Sequence, residues 1–178
     1  LSISDPKERP FDKADKADQA HLLFHDTDSG FLSFLKLWAL FKKEVKNLKS
    51  KSLRIFCDKY FLSFNRMREW QELYKQLLQM TDELGFKLSK DEANYEQIHF
   101  ALLSGLLGNI GLKESDSIEY LGARGIKFLV GPRLFRNKKF DWIMAAEIID
   151  TGKLYAQCIA KIDIKWIEKL SFHLLDFE

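Results

Sequence analysis

The chain has 178 residues, 46% of them apolar and 13% aromatic, and its 28 basic and 26 acidic side chains leave a formal charge of +2. The apolar share is enough for one or two buried cores. The near balance of charge excludes a binder that works through a global positive field, so contact with a polyanion has to come from local patches. No run approaches the length of a membrane span and no charged-then-apolar leader is present. Cys57 and Cys158 lie 101 residues apart in apolar stretches. That is neither a disulfide framework nor a metal-ligand spacing, and both read as buried structural thiols of a reducing compartment, with the cytoplasm as the expected location. The opening LSISDPKERP begins at Leu1 rather than Met and reads as the continuation of a longer protein.

In chain order, Pro10 is placed to open a short helix through Asp18, and Asp28 or Ser29 to cap the next one. His21 and His25 stand four apart with Asp26 and Asp28 nearby. That spacing suits two metal ligands on one helical face, but no third ligand is evident and local hydrogen bonding is favoured. Phe31 to Leu48 carries a broad apolar stripe and reads as a core-facing helix. Five lysines against one acid between Lys42 and Lys51 suit its C-terminus through the helix dipole. Two more helices follow, SLRIFCDKYF and NRMREWQELYKQLLQMTDELG, the second ending at Gly85 as a left-handed cap. On it Arg68 and Lys75 are nearly aligned two turns apart and Arg66 flanks the apolar stripe. Such cations could meet successive phosphates, although Arg68 with Glu72 is also an ordinary i, i+4 ion pair, the favoured reading. After a polar loop over 86–94, Tyr95 to Ile110 reads as the most buried helix, with His99 as a satisfied interior histidine.

Beyond Gly111 the pattern changes. Residues 112–121 look loop-like, and from Gly122 the period moves toward two, giving strands in IKFLV, WIMAAEIID and LYAQCIAKI. Asp163 to Leu170 closes with a short helix that packs Trp166 inward. The expected fold is α+β, a helical bundle over 1–111 followed by a small five-stranded barrel of the oligonucleotide-binding (OB) type over 112–178. Between the first two strands lies a connection with Arg133, Arg136, Lys138 and Lys139, and there is no acid between Gly122 and Phe140, a stretch that also holds Lys127. With Phe135 and Phe140 interleaved and facing outward, this loop fits a single-stranded nucleic acid; the alternative is a solvated basic loop.

No phosphate-loop GxxxxGK[ST], dinucleotide GxGxxG, HExxH, CxxC or GxSxG pattern occurs. No nucleophile, base and orienter can be assembled, so no catalytic residue is assigned and the chain is not expected to catalyse anything alone.

The order DPKERP, KADQAHLLFHD, SGFLSFLKLW, FLSFNRMREWQELYKQL, EQIHFALLSGLLGNIG, ARGIKFLVGP, FDWIMAAEIIDTGKLYA and IDIKWIEKL resembles the C-terminal half of DEAH-box RNA helicases, most of all the bacterial HrpA type. The resemblance implies a helical ratchet-like domain and an OB barrel, which in such enzymes follow two RecA-like motor domains and a winged helix. It implies ATP and Mg in the parent protein and no cofactor in this part. Its partners would be single-stranded RNA and the motor domains of the same polypeptide, with this part a monomer and no membrane involved. RNA in the family passes between motor and accessory domains, so Lys138, Lys139, Arg136, Arg133, Lys127, Arg66 and Arg68 become the expected RNA contacts. Many eukaryotic members carry a Pro-Ser-Ser loop where this sequence reads Gly131, Pro132, Arg133, Leu134. Some members receive activator proteins on this surface, so a platform for an activator or a ribosomal partner, anchored by Phe135 and Phe140, is the second expectation.

Overall fold

A computed structural model describes residues 4–45, 50–89, 91–115, 117–131 and 140–175. The chain divides into two compact units, residues 1–25 with 33–92 and residues 26–32 with 93–178. In the first, a 3-10 turn at Phe11–Lys13 leads into α1 (Ala14–Leu22), followed by most of α2 (Gly30–Glu44), then α3 (Ser50–Tyr60) and α4 (Phe64–Glu83). Apolar residues of α2, α3 and α4 meet: Leu37 and Phe41 of α2, Leu53, Phe56, Cys57 and Tyr60 of α3, and Met67 of α4 are all buried in one cluster, against which Ala20 of α1 packs. Burying each such side chain contributes about 1.5–3 kcal/mol, which stabilises helices too short to persist alone. The N-terminal strand-like segment is tied to the α3–α4 connection by Glu8 N–H to Phe61 O at 2.9 Å and Ser63 N–H to Pro6 O at 2.7 Å. Helix α4 ends as its sequence indicates. Gly85 takes φ +72°, its N–H bonds to Asp82 O and that of Phe86 to Thr81 O, the paired bonds of a Schellman cap.

The second unit is built on a closed barrel of β1 (Ile110–Lys113), β2 (Glu119–Gly122), β3 (Lys127–Val130), β4 (Trp142–Asp150) and β5 (Leu154–Lys161) in the order β1-β2-β3-β5-β4. β3 and β5 pair in parallel and the other four pairings are antiparallel. This is the OB-type barrel expected from the sequence. Tyr120, Phe128, Phe140, Ile143, Ala145, Ala156 and Ile159 fill its interior. On the outside, Phe31, Leu103, Leu106, Met144, Ala160 and Ile162 form a second core, against which Trp142, Trp166 and Ile167 pack. It joins α5 (Tyr95–Ser104) and α6 (Ile164–Leu175) to the strands.

Residues 26–32 lie along β5 in the same unit. Ser29 bridges to Ala160, Lys161 N–H reaches Asp28 O at 2.9 Å, and the Tyr95 hydroxyl is 3.1 Å from Asp28 O and 2.8 Å from Lys161 O. His99 closes the group, with Nε2 2.6 Å from Ser29 Oγ and Nδ1 2.6 Å from Tyr95 O. A carbonyl only accepts, so Nδ1 carries the proton and Nε2 accepts the Ser29 hydroxyl. Ser29 Oγ in turn accepts Leu32 N–H at 3.1 Å, which makes Ser29 the N-cap of α2.

Several expectations change. The helix read from Tyr95 to Ile110 stops at Ser104 and gives way to a 3-10 turn at Leu107–Asn109 and then β1. The loop-like stretch 112–121 contains parts of β1 and β2. Both strands are four residues long and end in or contain glycine, which hides a period of two. Gly111 and Gly122 pair across them because the Phe128 ring lies over both. A Cβ on Gly111 would sit 2.5 Å from Phe128 Cζ, and one on Gly122 2.8 Å from Cε1. Helix α2 ends at Glu44, with residues 46–49 outside the described ones. The first helix runs past Asp18 to Leu22. Cys57 is buried, as read, while Cys158 is only half-buried, in a left-handed conformation at φ +49°.

Candidate nucleic-acid interface

Arg133, Arg136, Lys138, Lys139 and Phe135 fall at 132–139, outside the described residues. The two stems of that connection are in view. Gly131 directly follows β3 and donates its N–H to Ala156 O at 3.3 Å. At the other stem Phe140 is 7% exposed and sits in the barrel interior. Its carbonyl accepts the Tyr120 hydroxyl at 3.0 Å, and Lys113 N–H reaches Asp141 O at 2.8 Å. Burial pushes the Tyr120 pKa up, so the phenol stays a donor. The outward-facing Phe140 of the sequence reading is thereby corrected: its ring is core, and what it contributes to the basic connection is a fixed stem.

Lys127 opens β3, opposite Leu121 on β2. Its Nζ lies 2.8 Å from Glu114 Oε2. That hydrogen bond and charge raise its pKa, with a further attraction from Glu119. Two carboxylates near one ammonium leave little field for a phosphate. Between β2 and β3 the chain turns through Ala123, Arg124, Gly125 and Ile126, all exposed. Arg124 was not singled out from the sequence; the signal was there, a cation followed by glycine between two short apolar runs.

Arg66 and Arg68 stand on α4, in the other unit from Lys127. Two residues apart on a helix, they do not share a face. Arg66 Nη1 donates to Asp5 O at 2.7 Å, which commits it to the N-terminal segment. Arg68 Nε is 3.8 Å from Glu72 Oε1, with side chains 57% and 63% exposed, a solvent-screened pair worth a few tenths of a kcal/mol. On the same helix Tyr74 meets Lys42 Nζ, 4.9 Å from its ring centroid, and Trp70 stacks on Trp38 at 4.9 Å.

The remaining polar candidates are structural. His21 Nε2 is 3.1 Å from Phe61 O, and burial lowers its pKa. Among the described residues no three His, Cys, Asp or Glu gather closely enough to hold a metal. Burial pushes the Cys57 thiol up to about 12, far from nucleophilic at neutral pH. Among the described residues no helix is long and apolar enough to cross a membrane.

No family model matches the chain. Over 177 residues, 98% of its length, it is 43% identical to ATP-dependent RNA helicase HrpA of Escherichia coli and 44% identical to the HrpA homolog of Haemophilus influenzae. It is also 22% identical over 181 aligned residues, 96% of the chain, to pre-mRNA-splicing factor ATP-dependent RNA helicase prp22 of Schizosaccharomyces pombe. In each case it spans 14% of the relative's length. Along nearly its whole length the chain is thus similar to a segment of HrpA-type ATP-dependent RNA helicases, of which it spans only a small part.

Proposed function

We propose that this chain is the accessory RNA-binding region from the C-terminal half of an HrpA-type ATP-dependent RNA helicase. Its helical part acts as the ratchet-like domain, and its barrel helps hold single-stranded RNA against RecA-like motor domains elsewhere in the parent. The observation that carries this reading is the 43% identity to an RNA helicase over 98% of the chain, joined to a closed OB-type barrel whose basic connection starts and ends on fixed stems. The 178 residues carry no phosphate-loop signature. They do not fit ATP and Mg, which in this reading belong to the motor, and the chain alone performs no catalysis.

Lys138, Lys139, Arg136 and Arg133 are the primary contacts. Phosphate contacts position a strand without reading it, so sequence preference is weak. Arg66, Arg68 and Lys127 are secondary, since each would first have to leave a protein partner. The protein works in the cytoplasm as a monomeric part of its parent.

The test is titration of a fluorescent single-stranded RNA of about a dozen nucleotides at low and near-physiological salt. Binding in the micromolar range or weaker is expected, lost in Lys138→Glu/Lys139→Glu. No binding at low salt would defeat the reading for this chain. A second reading, a platform for an activator or ribosomal protein, draws on the exposed Leu77 and Met80 on α4, with Leu84, Phe86 and Leu88 just beyond it. Under it the same charge reversal leaves RNA binding untouched.

A further inference from the structure

The β2–β3 connection departs from what its backbone prefers. Arg124 has φ 58° and ψ 23°, Gly125 follows at φ 75°, and Ile126 N–H returns to Ala123 O at 3.3 Å. Gly122 N–H to Ile126 O at 2.7 Å and the Leu121–Lys127 pairing continue the hairpin on either side. Two successive left-handed residues between Ala123 and Ile126 make a type I′ turn, with Ala123 as an extra residue because Gly122 already pairs with Ile126. Glycine in its second position is the expected residue. The first position favours Asn, Asp or Gly, because the Cβ of other residues crowds the backbone there. Arginine in that place is a local conflict that the hairpin overrides, and such conflicts concentrate where a side chain is kept for what it does.

The surroundings of Arg124 point the same way. Ala123, Gly125 and Ile126 supply no acid, and Arg124 forms no ion pair or hydrogen bond among the described residues. Lys127, the other cation between Glu119 and Val130, is held by Glu114. The exposed guanidinium is thus carried at the tip of a hairpin of the barrel, with no partner to leave among the described residues. Its fork of parallel N–H donors matches two oxygens of a phosphodiester, which an ammonium cannot do.

We propose that Arg124 is a phosphate-binding residue for single-stranded RNA, presented by this type I′ turn. The proposal rests on the RNA-binding function given above and adds a contact outside the 132–139 connection. Three variants of the 178-residue chain test it with the same fluorescent RNA. Arg124→Asn and Arg124→Gly suit the turn at least as well as arginine, so their thermal midpoints should equal or exceed that of the parent. Their affinity should fall roughly threefold to tenfold, and the slope of log K against log salt should flatten by about 0.7, the share of one phosphate on a single strand. Arg124→Lys, which keeps the charge without the fork, should fall between.

An unchanged affinity and slope in Arg124→Asn, with Lys138→Glu/Lys139→Glu weakened, would overturn the role of Arg124 and leave the RNA-binding reading standing. Failure of the parent chain itself to bind at low salt would overturn both.

Discussion

His99 is 0% exposed, with both ring nitrogens engaged. Burial lowers its pKa, against smaller raising effects from the Tyr95 carbonyl and Asp26. The unfolded chain takes up a proton as pH falls through the ordinary value of 6.5, while the folded chain resists until a lower pH. Stability is therefore full above that value and declines below it, by up to about 1.4 kcal/mol per pH unit for such a histidine. His21 is displaced in the same direction. Urea midpoints at pH 7.5 and 5.5 should show the loss, and His99→Gln should lower both values while flattening their difference; an equal difference in the variant would show that His99 is not a source. Gly111 gives a second residue-scale outcome. With Phe128 1% exposed and unable to swing away, Gly111→Ala forces its Cβ into the ring edge and should cost about 1–3 kcal/mol. Shrinking the ring in Gly111→Ala/Phe128→Leu should cost less than the two separate changes added together. Strict additivity would contradict the packing described.

At the scale of elements, what was legible depended on length and on who makes the contacts. The long helices and the two long strands announce themselves by period, and β4 and β5 are found where they were expected. The short strands β1 and β2 do not, because their glycines answer to Phe128, a residue distant in sequence from Gly111. Phe140 was misread for a related reason. A ring beside two lysines looks exposed until the barrel closes over it. The start of α5 at Tyr95 was read correctly, but its cap was overlooked: Asn94 Oδ1 accepts Gln97 N–H and Gln97 Oε1 accepts Asn94 N–H, both at 2.9 Å, a capping box visible as N-x-x-Q. Asn94→Ala should therefore lower stability by about 1 kcal/mol. A thermal midpoint unchanged within error would mean that water replaces the cap at no cost. Since α5 also carries His99, losing its cap should leave the pH dependence of the midpoint in place.

For the whole molecule, the decisive quantity is how 28 cations and 26 acids are distributed. A net charge of +2 gives no general attraction for RNA, and the acids of the rest of the surface repel it. The sequence order of cations showed where a patch could be. It could not show that Lys127 and Arg66 are already engaged, since their partners Glu114 and Asp5 lie 13 and 61 residues away in the chain. If the 132–139 cations and Arg124 supply about two to four phosphate contacts, log K should fall against log salt with a slope of about −1.4 to −2.8. A steeper slope would require the engaged cations to be recruited, and Arg66→Ala or Lys127→Ala would then flatten it. On the arrangement described, those two variants leave the slope unchanged while Lys138→Glu/Lys139→Glu reduces it. Measuring the slopes of all three against the parent chain decides whether Arg66 and Lys127, each paired in the fold, contribute to any RNA binding.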